Sequence, residues 1–192
     1  MARPRSFRTD QVVEATKAVF WDKGYHGTAV EDLERATGLN RSSLYGAFGS
    51  KKAIFDLALD AYLDSFVAPR LAPLEHPGAA RGDIERFFAG LAELFRTDHR
   101  AHRGCFMINS IAELEGRTPH LHGRAEAFRD RLRAAFTNAL TTGPETTLAA
   151  ERARLLTATT FGIWLTARIN PQDAAQTCHA TVAQIRTWVT KP

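Results

Sequence analysis

Two observations predict an all-α chain. Apolar residues recur with a period near 3.6 along almost every segment, and no stretch of five or more residues alternates as a strand does. The 44% apolar content over 192 residues suits a folded chain with one good core, or one core with a small domain attached. The elements follow in order. Thr9 or Asp10 caps a first helix whose apolar face is Val12, Ala15, Val19 and Phe20, and Gly24 ends it as a left-handed residue. Thr28 is read as the cap of a short second helix reaching about Thr37. Gly38 breaks the chain, a third helix starts near Arg41, and Gly49 stops it. Ser50 caps a fourth, with Ile54, Leu57, Ala58, Tyr62 and Phe66 on related faces. The stretch APRLAPLEHPGAARG, residues 68–82, carries three prolines and two glycines and is expected to be a loop. Helices are then expected near 83–98, 102–115, 119–141, 147–169 and 172–190, about nine in all. Thr118 with Pro119 makes a start signal, followed by the stripe Leu121, Ala125, Phe128, Leu132, Ala135 and Leu140.

Charge narrows the partners. The formal net charge is +4, and residues 1–52 hold nine Lys/Arg against six Asp/Glu. Arg3, Arg5 and Arg8 precede any acid, which reads as a short basic arm, and the asymmetry permits an anionic partner. MARPRSFRTDQ has no apolar core after its arginines, so no secretory signal is expected. The least polar later run, LLTATTFGIWLTA, has thirteen residues with four threonines, too few to cross a bilayer. Two cysteines 73 positions apart form neither a disulfide framework nor a zinc site. A cytoplasmic chain without cofactor, metal or membrane partner is expected.

Two short helices joined by a turn at Gly38 make a helix-turn-helix, with Leu39 tucked between them. The second helix of such a pair offers its N-terminal side chains to base edges and phosphates, here Arg41, Ser42, Ser43 and Tyr45. Serine approaches closely, and arginine reaches guanine or phosphate in a forked geometry. Phe48 is expected in the small core. Lys51 and Lys52 open the fourth helix, where their charge and its free N–H groups suit a phosphate.

The wording of this stretch is specific. TAVEDLERATGLNRSSLYGAFGSKKAIF resembles the N-terminal domain of TetR-family transcriptional regulators, with Thr28, Asp32, Leu33, Gly38, Leu44, Tyr45, Phe48, Ser50 and Lys51 in register. The likeness covers about residues 8–60. It implies an N-terminal three-helix DNA-binding domain over residues 1–50 and a C-terminal helical ligand-binding and dimerisation domain over residues 51–192. It also implies a homodimer on a near-palindromic double-stranded operator, with recognition helices about 34–36 Å apart, acting mostly as a repressor released by a small molecule. The DNA contacts it implies are Thr28, Arg41, Ser42, Ser43, Tyr45 and Lys51. Three residues depart from the family pattern. Glu34 stands where a small residue packs between the helices, so its carboxylate must turn outward or find a partner. Ala47 replaces a phosphate-touching histidine or tyrosine, and Asn40 replaces the serine of the turn while keeping the capacity to cap.

By the same resemblance the last two helices form the dimer interface. Leu155, Thr159, Gly162 and Ile163, then Val182, Ile185 and Val189, are the residues expected there, the alternative being that they complete the monomer core. Ligand-site candidates at helical spacing are Phe87, Leu91, Phe95, Phe106, Asn109, Phe128, Phe161, Trp164 and Arg168. Aromatic walls with a few polar groups suit a small, largely apolar molecule, whereas an aromatic stripe is otherwise plain core. Asn109 and Arg168 are polar in apolar stretches and each needs a partner.

HRGCFMINSIAEL, with its Gly-Cys-x-x-x-Asn run, resembles a branch of the family in which some members sense electrophiles or oxidants through a cysteine. Cys105 near a helix start, with His102 and Arg103 just before it, suits a lowered thiol pKa, the alternative being an inert buried cysteine. Cys178 is expected to pack. His99 and His102 have metal-sharing spacing but no third ligand. Glu113 and Glu115 do not share a helical face, and there is no phosphate loop or serine elbow. The rival classes are a helical enzyme or carrier using the aromatic cavity, for which no convincing titratable pair exists, and a purely architectural DNA binder.

Overall fold

The computed structural model describes residues 9–114, 119–142 and 146–188. Arg3, Arg5, Arg8, Glu115, Thr118 and Val189 lie outside the described residues. Among those described there is no strand. The ten α-helical segments are α1 (Thr9–Gly27), α2 (Val30–Thr37), α3 (Arg41–Phe48), α4 (Lys51–Tyr62), α5 (Ala68–Glu75), α6 (Arg81–Thr97), α7 (Phe106–Leu114), α8 (Pro119–Thr141), α9 (Ala149–Ile169) and α10 (Pro171–Thr187). A π-helical turn, Leu63–Val67, carries α4 into α5 without a loop, so the chain has nine separate α-helical runs among the described residues. Short 3₁₀ turns at His99–Arg103 and Thr146–Leu148 precede α7 and α9.

The chain divides into two compact units, residues 1–67 and 68–192. In the first, α1 and α4 pack through aromatic rings. Phe20 meets Phe55 edge-on at 5.3 Å, Phe55 meets Tyr25 at 5.2 Å, and Trp21 meets Tyr62 at 5.0 Å. Phe20, Leu33, Leu44, Leu59 and Tyr62 are fully buried. This packing draws α4 into the first unit, which runs to Val67. Leu57, grouped by spacing with Ile54 and Ala58 on related faces, is exposed.

In the second unit α6 and α10 lie together, with Ile84, Phe88, Leu91 and Phe95 buried on one and Ala174, Cys178 and Ile185 on the other. Residues 68–75, expected as loop, are the helix α5. Leu71 and Leu74 are buried on its inner face while Pro69 and Pro73 are exposed. The end of α5 and the turn after it are held by α8 and the residue that follows it: Asn138 Nδ2 donates to the carbonyls of Leu74 and His76 at 2.8 and 3.0 Å, and Thr142 Oγ1 donates to that of Ala79 at 2.6 Å. Arg131 adds a two-pronged ion pair to Glu75 at 2.6 and 3.0 Å. That supply of partners makes a short proline-bearing helix tenable.

Candidate nucleic-acid interface and ligand-domain residues

The turn between α2 and α3 depends on Gly38, whose φ of 69° and ψ of 8° are left-handed, and whose N–H donates to the Glu34 carbonyl at 2.8 Å. Asn40 then caps α3: its Oδ1 accepts the Ser43 N–H at 2.8 Å. The Glu34 carboxylate finds its partner across the turn, accepting the Arg41 N–H at 2.5 Å. Leu44 anchors the eight-residue α3 as its one buried side chain, which leaves the rest of the helix surface to present chemistry. Arg41 and Ser42 are exposed and Ser43 and Tyr45 half-buried. The Arg41 guanidinium lies over the Tyr45 ring, 5.4 Å from its centroid, so both side chains occupy one face. Phe48 and Leu39 are half-buried.

Thr28 differs from expectation. It neither caps α2 nor reaches the surface: it is 1% exposed, and its hydroxyl donates to the Gly24 carbonyl at 2.6 Å. A φ of 73° at Gly24 redirects the chain and brings that carbonyl within reach. The cap is Ala29, which has no side-chain acceptor to give. The Asp32 N–H goes to the Ala29 backbone carbonyl at 3.2 Å, and the Asp32 carboxylate accepts the Ala29 N–H at 3.0 Å while pairing with Lys23 at 2.6 Å and Arg35 at 3.2 Å. The Lys23 hydrogen bond, followed by that from Ala29, holds the Asp32 carboxyl below its ordinary pKa.

At the start of α4, Ser50 Oγ accepts the Ala53 N–H at 3.1 Å. Lys51 lies 4.5 Å from the centroid of the Tyr25 ring, and Lys52 is paired with Asp56 at 2.6 Å. Lys51 is thus held beside the aromatic cluster, whereas Lys52 is committed along its own helix.

In the second unit the nine ligand-site candidates fall into groups. Phe95 meets Trp164 edge-on at 5.0 Å, and Phe128 stacks on Phe161 at 5.8 Å. Phe106 is 1% exposed. Phe87 and Leu91 line a separate cleft of about 230 Å³ between α5 and α6, walled by Pro69, Pro73, Arg70 and Arg86. Asn109 and Arg168 converge on Gly104. Asn109 Nδ2 donates to the Arg103 carbonyl at 2.7 Å, while its Oδ1 is buried without a hydrogen-bond partner in the protein. Gly104, at φ 79°, is packed so closely that an added Cβ would stand 2.8 Å from Arg168 Cγ. The Gly-Cys pair therefore has a geometric reason that spacing did not reveal: glycine is the residue that admits the Arg168 stem.

Cys105 is 1% exposed and directly precedes α7. Cys178 is fully buried in α10, and burial pushes its thiol up to about 12, so it packs as expected. The His99 and His102 rings meet edge-on at 5.0 Å, and His102 Nε2 lies 2.8 Å from the Phe95 carbonyl. Among the described residues no three His, Cys, Asp or Glu side chains gather as metal ligands, and no helix is long and apolar enough to cross a membrane.

The expected interface residues are split. Ile163, Val182 and Ile185 are buried in the chain's own core, Thr159 is half-buried, and Leu155 and Gly162 are exposed. The outward row of α9 is instead Leu155, Ala158, Gly162, Leu165 and Ile169. Leu155, Leu165 and Ile169 are 56%, 46% and 87% exposed, an apolar row on an outer face.

Comparison with known proteins agrees with this architecture. Residues 12–58 match the family described as bacterial regulatory proteins, tetR family. The chain is 34% identical over 113 residues to the HTH-type transcriptional repressor ComR of Escherichia coli (strain K12), covering 58% of this chain and 53% of ComR, so it spans about half of that repressor's length. It is 33% identical over 140 residues to the uncharacterized HTH-type transcriptional regulator YezE of Bacillus subtilis (strain 168), covering 73% of this chain and 72% of YezE. A cysteine mutant of the TetR family transcriptional regulator CifR, solved with 26-base-pair double-strand operator DNA, superposes with a TM-score of 0.73 at 26% identity over 97% of this chain and all of that one. The chain belongs to the TetR family of bacterial transcriptional regulators, with the family's helix-turn-helix in its first unit.

Proposed function

We propose that the chain is a homodimeric repressor that reads a near-palindromic operator with α3 and is released by a small, largely apolar molecule held in the second unit. The observation that carries the DNA reading is α3 itself, a short helix capped by Asn40 and anchored by Leu44, with Arg41, Ser42, Ser43 and Tyr45 around its first turns. Lys51 supplies a phosphate contact beside it. The outward apolar row of α9 supports dimerisation: Leu155, Leu165 and Ile169 are too exposed for a helix without a partner. The buried, unpartnered Asn109 Oδ1, within an aromatic-rich helical bundle, supports a ligand that brings a hydrogen-bond donor. Release requires only that the ligand prefer the DNA-incompetent state.

The test is binding to the DNA upstream of the protein's own coding sequence against a scrambled duplex, with salt varied. Both affinities fall with salt, and a gap of about 10³ or more persists for a specific reader. Arg41→Ala is expected to close most of that gap, and a gap left intact by this change would refute the assignment of α3. Leu165→Asp is expected to yield monomers in sedimentation and to weaken operator binding.

A second reading makes Cys105 a thiol sensor. Its place immediately before the first turn of α7 favours it. Cys105→Ser is then expected to bind operator normally and to ignore peroxide or electrophile; an undiminished response in that variant rules the reading out.

A further inference from the structure

Glu34 closes both sides of the helix-turn-helix turn. Its backbone carbonyl accepts the N–H of Gly38 at 2.8 Å, ending α2. Its carboxylate accepts the N–H of Arg41 at 2.5 Å, seven residues on, at the start of α3. An α-helix begins with N–H groups that its own carbonyls do not reach, and these give its end a positive partial charge suited to phosphate. In α3 two of them are taken from within: Arg41 by Glu34, and Ser43 by the Asn40 side chain. One of those acceptors carries a full negative charge. A phosphate nearing the first turn of α3 therefore meets a carboxylate rather than a free helix end.

We infer that Glu34 is a positioning residue for α3 and a determinant of its sequence specificity. By bonding the Arg41 amide it fixes the start of α3 against the end of α2. By its charge it keeps backbone phosphate off the α3 terminus, leaving Arg41, Ser42 and Tyr45 to base edges. Non-specific affinity, which is a phosphate property, is lowered, and discrimination, which is a base-edge property, is preserved. The inference rests on the reading that α3 side chains contact the operator.

The two roles separate by substitution. Glu34→Gln keeps an acceptor for the Arg41 amide and removes the charge; Glu34→Ala removes both. The probes are a duplex selected by the wild-type protein from a random pool and a scrambled duplex of the same composition, each titrated at several salt concentrations, with thermal melting of every variant. Glu34→Gln should bind both duplexes several-fold more tightly, keep their affinity ratio within about threefold, and steepen the salt dependence by up to about 0.9 in log–log slope, as for one more phosphate engaged. Glu34→Ala should gain affinity for scrambled DNA yet lose about tenfold or more in the ratio while still melting cooperatively. A wild-type ratio in Glu34→Ala overturns the positioning role. Unchanged affinities and slope in Glu34→Gln overturn the charge role, and this variant carries the test should the alanine form fail to fold. Arg41→Ala serves as the control: if it keeps the gap, the α3 reading itself fails, whereas loss of the gap there with no effect at Glu34 refutes the Glu34 inference alone.

Discussion

Substituting Gly104 by alanine tests the packing around Asn109 and Arg168. Gly104 has φ 79° and ψ −170°, a region open essentially to glycine alone, where another residue costs about 1–3 kcal/mol in backbone strain. The added Cβ would stand 2.8 and 2.9 Å from Arg168 Cγ and Cδ and 3.1 Å from Asn109 Oδ1, so something must move. Overpacking of this kind costs about 1–3 kcal/mol, and the low end applies because the Arg168 stem is flexible. The expected loss is about 3 kcal/mol, or a fall in Tm of about 6–12 °C for a chain of this length. Circular dichroism melting, repeated in an Arg168→Ala background, divides the cost. Removing the stem relieves the contact but not the backbone strain, so the double variant should stay about 4 °C or more below Arg168→Ala alone. A Gly104→Ala protein melting within about 1 °C of wild type, or one rescued completely by Arg168→Ala, would refute the geometry.

Asn170 Oδ1 accepts the N–H groups of Gln172 and Asp173 at 3.0 and 3.1 Å, so Asn170→Ala should remove the cap of α10 and cost about 1 kcal/mol, read as a fall in the urea midpoint. The Arg131 hydrogen bonds hold the Glu75 carboxyl below its ordinary value of 4.5, against a smaller opposing effect of burial. A depressed folded pKa means stability that is present above that ordinary value and is lost as pH falls through the folded one. Arg131→Ala should therefore be less stable at neutral pH by about 0.2–1 kcal/mol, the range for a partly exposed pair, with the difference closing as denaturation is repeated below about pH 4. Finally, a thiol raised to about 12 leaves almost no thiolate at pH near 8, so in a Cys105→Ser background Cys178 should resist a thiol reagent in the native protein and react once urea exposes it.

The helix-turn-helix was legible because its signals are local. Gly38 carries a backbone angle that few residues take, and the apolar anchors Leu33 and Leu44 keep helical spacing on either side of it. Residues 68–75 were not legible, because proline content outweighed the spacing of Leu71 and Leu74. The structure shows why those prolines are tolerated: both lie on the exposed face, and the Leu74 carbonyl at the end of α5 is served by Asn138, more than sixty residues away. No local reading reaches that far. At Thr28 the error was one residue, enough to move a hydroxyl from a helix cap to the Gly24 carbonyl and to leave the cap position to Ala29, whose own N–H the Asp32 carboxylate accepts.

The phase of α9 failed for a different reason. Leu156, Thr160, Ile163, Trp164 and Ala167 are buried within the chain, while Leu155, Ala158, Gly162, Leu165 and Ile169 run along the outer side. A helix apolar on both sides has no single direction for periodicity to report, and Ile163, for which spacing leaves dimer interface and monomer core as alternatives, is 1% exposed. The same two-sidedness is the argument for a partner. A helix that only completed a monomer core would gain nothing from leucine and isoleucine on its outer side, and the exposure of Ile169 at 87% costs solubility with no internal contact to offset it. Ala158 and Gly162, small residues between the leucines on that row, leave room for another helix to approach closely.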